Sequence, residues 1–237
     1  MVIVPADRDI PKASSNPVEH SELARKMSEN FTGVYLTMLS IIQGVALTDL
    51  AAIAFSQGAH LSVTQWVQVA TMLWTLIYIW NHFMADALMT QWIPDIEDAA
   101  LLFGTGVLEL LANHGIIWGV PTWLGALSAM LFLWALGSLY IRQQEEEFVQ
   151  DPVLMKMLRA RTRPILWETI GGGTFLCLLA ILCAVTGAKA HSSKVEQNVI
   201  ASASVGIALL ISAAIGIVSS KFWKRVRAYA RKGSEGA

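Results

Sequence analysis

Six apolar stretches constrain this chain more than any other feature. They run over 33–55, 66–90, 98–118, 122–141, 165–186 and 198–222. At the helical rise, about 20 residues span the hydrocarbon of a bilayer. Every backbone amide there has to be hydrogen-bonded inside the protein, so such stretches fold as helices. The expected fold is all-α: a polytopic integral membrane protein built as one six-transmembrane-helix bundle. Composition agrees, with 15% charged residues where a soluble domain carries about 25%. Cys177 and Cys183 both lie in the fifth stretch and read as buried thiols rather than a disulfide framework.

The connecting segments are polar. Residues 1–32 form an N-terminal segment with no signal-peptide core, so the first apolar stretch is expected to direct insertion. Asn16 and Pro17 begin a short amphipathic helix there, as cap and first helical residue. Residues 142–164 form an amphipathic basic segment, and 223–237 a basic tail expected to be solvated. Both suit anionic lipid headgroups, and nucleic-acid binding is not needed to explain them.

Charge gives the bundle a direction. With six spans, 15 of the 17 Lys and Arg residues fall on one side, and only Lys189 and Lys194 on the other. The positive-inside rule then puts both termini in the cytoplasm, across a plasma (cell inner) membrane.

Two stripes break the apolar pattern. In the second stretch, Gln68, Thr71, Thr75, Tyr78, His82 and Asp86 fall within about 80° of one another on a helix. In the third, Asp98, Leu102, Thr105, Glu109 and Asn113 do the same within about 80°. Ionisable groups at that depth are costly and usually face a protein interior or a wet cavity. The two stretches are joined by a short turn, so the stripes are expected to face each other. His82 and Glu109 are then expected near mid-depth, Asp86 near the cytoplasmic end, and Asp49 and His114 in the outer third.

Three functions compete. The stripes can line a path for protons or small ions in a channel or transporter, through His82, Asp86, Glu109, Asn113, Asp49, Thr75, Tyr78, Thr71 and Gln68. Alternatively, His82, Asp86 and Glu109 hold a metal ion, the one cofactor the residues suggest, in a membrane enzyme or metal transporter. In the third reading the groups only satisfy one another, and the chain is a non-catalytic assembly or regulatory subunit. No HExxH or repeated ExxH is present, and no catalytic residue is assigned. No lysine lies mid-span to form a retinal Schiff base, and two histidines on different faces do not favour a bis-His haem.

Small residues suggest interfaces. Thr37, Ser40, Gly44, Thr48 and Ala51 share a face of the first stretch, and the sixth is rich in Gly, Ala and Ser. Such faces let helices approach closely, within a chain or in a homo-oligomer. Gly171, Gly172 and Gly173 are expected to allow close packing, a kink or a hinge in the fifth stretch.

Overall fold

The computed structural model describes residues 17–89, 96–148, 152–188 and 194–235. These form six α-helices: α1 (Pro17–Gln57), α2 (Val63–Met89), α3 (Ile96–Trp118), α4 (Val120–Phe148), α5 (Pro152–Ala188) and α6 (Lys194–Glu235). Five contain a segment long and apolar enough to cross a membrane: Gly33–Gln57, Ala99–Trp118, Val120–Tyr140, Leu166–Gly187 and Asn198–Ile217. The exception is α2. It has the length, 27 residues or about 40 Å, but its polar stripe dilutes its apolar character.

The helices are longer than the apolar stretches. The amphipathic segment that begins at Pro17 is not a separate helix: α1 runs through 41 residues without a break. The basic segment before the fifth stretch likewise belongs to the 37 residues of α5. The tail, expected to be solvated, continues α6 as far as Glu235. Once a helix is nucleated, each further residue adds a hydrogen bond, so a polar extension costs little. Asn16, the Asp95 turn and the side chain of Asp86 lie outside the described residues.

Glycine fixes the α3–α4 corner. Gly119 has φ +126°, a conformation that a side chain would strain. A Cβ on Gly115 would sit 2.7 Å from the Trp123 backbone, so the two helices meet there without side chains between them. Trp123, which begins an apolar stretch in the sequence, is fully buried at this corner. Gly172 and Gly173 pack against Leu131 and Phe132 of α4, and Ser128 Oγ donates to the Gly173 carbonyl at 2.8 Å. Of the three outcomes expected for this glycine run, close packing is the one seen.

The core joins all six helices through Leu39, Met72, Leu102, Leu124, Leu176 and Val205, each at most 2% exposed. On α1 the buried face is Tyr35, Leu39, Gln43, Ala46, Leu50 and Ile53. The small-residue face is not the packing face within the chain: Thr37, Ser40, Gly44 and Thr48 are exposed. Large side chains bury more surface than a threonine or glycine row, and they take the inner position.

Candidate functional site: a polar seam between helices α1 and α3

The stripe on α2 turns inward. Gln68, Thr71 and His82 are buried, whereas Leu73 and Ile77 on the remaining surface are exposed. Its hydroxyls are anchored locally: Thr71 donates to the Val67 carbonyl at 2.7 Å, and Thr75 to the Thr71 carbonyl at 2.8 Å. Farther along, Tyr78 stacks on His82 with ring centroids 5.9 Å apart. Both rings meet Trp134 of α4 edge to face, at 5.0 Å. His82 is thus held among aromatic rings.

The stripe on α3 turns elsewhere. Glu109 has no exposed surface, and its Oε1 accepts a 2.7 Å hydrogen bond from Gln43 Nε2 of α1. One turn farther along α3, fully buried Asn113 donates through Nδ2 to the Ala46 carbonyl at 2.9 Å and to Asp49 Oδ2 at 3.1 Å. The same Asp49 oxygen lies 3.4 Å from His114 Nδ1. Exposure rises along this series: the side chain of Asp49 is 23% exposed and that of His114 45%. Glu109 Oε2, Gln43 Oε1 and Asn113 Oδ1 are buried without a hydrogen-bond partner among the described residues.

The two stripes therefore do not form the single seam expected of them. Gln65 Nε2 of α2 donates to the Ile116 carbonyl of α3 at 3.0 Å, which sets the register of this pair. Counting from that bond, Glu109 lies level with about Met72, and His82 lies about ten residues, roughly 15 Å, farther along. The stripes meet at Thr75 and Thr105, which line one cavity. Glu109 and Asn113 instead face α1. His82 and Glu109 consequently do not converge on a common ion. Among the described residues, no group of three His, Cys, Asp or Glu side chains is placed to hold a metal.

Sequence reading missed Gln43. Its signal was present: an amide in the middle of an apolar stretch, four residues from Leu39 and three from Ala46. That spacing puts it on the large-residue face of α1, while attention to the small-residue face points away from it. His114, which periodicity set apart from the α3 stripe, reaches Asp49 from the edge of the seam.

Beyond the tight approach at Glu109, the α1–α3 interface becomes apolar. Gly106 lies against Ile42, whose methyl occupies the space a Cβ would take. Leu39 and Leu102, at 0% and 1% exposure, fill the next turns. The seam thus has a polar half that ends at half-exposed His114, and it turns apolar at Ile42, Leu39 and Leu102.

No protein-family model matches the chain, and no curated protein or solved structure is significantly similar to it.

Proposed function

We propose that this chain is a membrane transporter that moves protons or small cations, with Glu109 as the group that takes up the ion. The observation that carries this reading is the Glu109 carboxyl itself. It has no exposed surface and one oxygen without a partner among the described residues, and it stands at the inner end of a series of polar groups leading outward through Asn113 and Asp49 to His114. A carboxyl buried inside an apolar bundle is costly unless it is used. The apolar half below it, Leu39 and Leu102, favours a site reached from one side at a time over an open pore.

In this reading α2 is the sixth span. It lies between two helices that are themselves apolar enough to cross, and its polar face is turned inward. Both termini are cytoplasmic because 15 of the 17 basic residues then share the cytoplasmic face of the plasma membrane. His114 marks the outer mouth. The basic extensions of α5 and α6 rest on anionic headgroups. The exposed Thr37, Ser40, Gly44 and Thr48 face of α1 suits contact with a second copy of the chain, so a homo-oligomer is part of the proposal.

The test is flux in proteoliposomes. Purified protein should carry protons or a monovalent cation down an imposed gradient, and Glu109→Gln should stop it. If wild-type vesicles leak no more than empty ones to protons, sodium, potassium or calcium across pH and voltage, the transport reading fails. An assembly subunit is the competing reading. It draws on the Asn113 bond to the Ala46 carbonyl, which pins α1 to α3 whatever the ion does. That reading expects no flux and a co-purifying partner lost when the seam is disrupted.

A further inference from the structure

The inner end of the Glu109 seam has more oxygen than its hydrogens can serve. Its amide nitrogens are engaged: Gln43 Nε2 donates to Glu109 Oε1, and Asn113 Nδ2 to the Ala46 carbonyl and Asp49 Oδ2. Left over are Gln43 Oε1, Glu109 Oε2 and Asn113 Oδ1, three buried acceptors without a partner among the described residues. Gln43 is 7% exposed, and Glu109 and Asn113 are 0% exposed. All three belong to about one turn of two facing helices. Glu109 and Asn113 are one turn apart on α3, and Gln43 is one turn from Ala46, whose carbonyl Asn113 reaches.

The protein does not make up this deficit of positive charge. A buried oxygen without a donor is costly, and a buried carboxylate without an opposite charge more so. No lysine or arginine occurs from Met27 to Ile141, a stretch that includes all of α2 and α3 and the apolar part of α1. His114 is held at Asp49. On α2, Gln68 Nε2 is a buried donor without a partner among the described residues. The Gln65–Ile116 bond places it level with Asn113, where it can serve one of the three oxygens. The other such donor, Trp123 Nε1, belongs to the α3–α4 corner beside Gly115.

A proton on Glu109 Oε2 would satisfy that oxygen and one neighbour. A metal cation can meet all three oxygens and balance the carboxylate. Donors that are all oxygen suit a hard cation, and one carboxylate with two neutral amides suits a single positive charge. The helices leave little room for a large ion. One turn from Glu109, Ile42 occupies the space that a Cβ on Gly106 would take, and on the other side the 2.9 Å bond from Asn113 to the Ala46 carbonyl ties α1 to α3. Few oxygens in a narrow space favour the smaller of the common monovalent cations. The geometry points to a sodium ion, largely stripped of water, bound by the free oxygens of Gln43, Glu109 and Asn113. This rests on the reading of Glu109 as the group that takes up the ion, and it names the ion.

Equilibrium binding of radiolabelled sodium tests the site without requiring transport. The purified full-length protein would be kept in N-methyl-D-glucamine chloride at constant ionic strength. Sodium should saturate one site per chain, and equal potassium should not displace it. Glu109→Gln should weaken binding at least about thirtyfold, the effect of truncating one partner of a buried charge contact. Gln43→Leu, which removes an oxygen, should weaken it less. No saturable sodium binding by the wild type, or equal displacement by potassium, overturns the inference without use of a variant. Unchanged affinity in a folded Glu109→Gln protein also overturns it. Flux separates the two readings. Proton flux with sodium absent and no sodium binding leaves transport standing and removes the sodium site. Saturable sodium binding without any flux keeps the site and removes transport.

Discussion

The α1–α3 seam and the α2–α4 aromatic cluster answer the same physical problem in different ways. Each accommodates an ionisable side chain inside an apolar bundle. Glu109 is met by an amide, Gln43, and is followed outward by Asn113, Asp49 and His114. His82 is met by rings, Tyr78 and Trp134. The first arrangement leaves a carboxylate oxygen unpartnered beside groups that can pass a proton or hold a cation. The second packs an imidazole against two aromatic rings. Periodicity alone makes the two residues look like partners, whereas their surroundings give them different work.

The largest effect should appear in transport. Glu109→Gln keeps the shape and a hydrogen-bonding group but cannot carry a proton or a charge. Proteoliposome flux should fall by at least about a hundredfold, as when a positioned acid–base group is lost. His82→Ala should leave flux unchanged. If instead His82→Ala abolishes flux and Glu109→Gln does not, the contrast between the two regions is reversed.

Next comes stability. Trp134→Ala removes the partly buried ring that packs against both Tyr78 and His82, and it should cost about 2 kcal/mol, below the usual cost of deleting a fully buried aromatic. Thermal unfolding in detergent, followed by circular dichroism, would read this loss. Gln43→Leu should cost about 1–3 kcal/mol, because it strands the Glu109 carboxyl without its donor. The double variant Gln43→Leu with Glu109→Leu should recover most of that loss, since removing both partners removes the unpaired polar group. No recovery would mean that the pair packs by shape rather than by its hydrogen bond.

The smallest effect is expected at the outer end. Asp49 is partly exposed, and its contact with His114 is 3.4 Å. Asp49→Asn should cost about 0.5 kcal/mol of stability, as for other solvent-screened pairs. Its flux should fall less than that of Glu109→Gln. An effect as large as that at Glu109 would move the ion-binding step outward to Asp49.

Much of this was legible in the residues. The inward turn of the α2 stripe follows from the cost of a polar row in hydrocarbon. The burial of Glu109 and Asn113 follows from their spacing. Their partner did not follow. A stripe specifies a direction around its own helix and says nothing about which neighbour stands there. Gln43 shares the period of Leu39 and Ala46, but a lone amide does not stand out as a stripe. Nor does hydropathy show that the close Gly115 contact draws Trp123 into the core.

By itself, then, the sequence determined the material of the bundle: apolar stretches that fold only as helices, and polar residues that only an interior tolerates. Tertiary structure decided the pairing. The α2–α3 register, set where Gln65 meets the Ile116 carbonyl, separates His82 from Glu109 along the axis. The large buried face of α1 then brings Gln43 to Glu109. Hydropathy acts on each helix separately, whereas register and azimuth depend on how side chains of two helices fill the space between them.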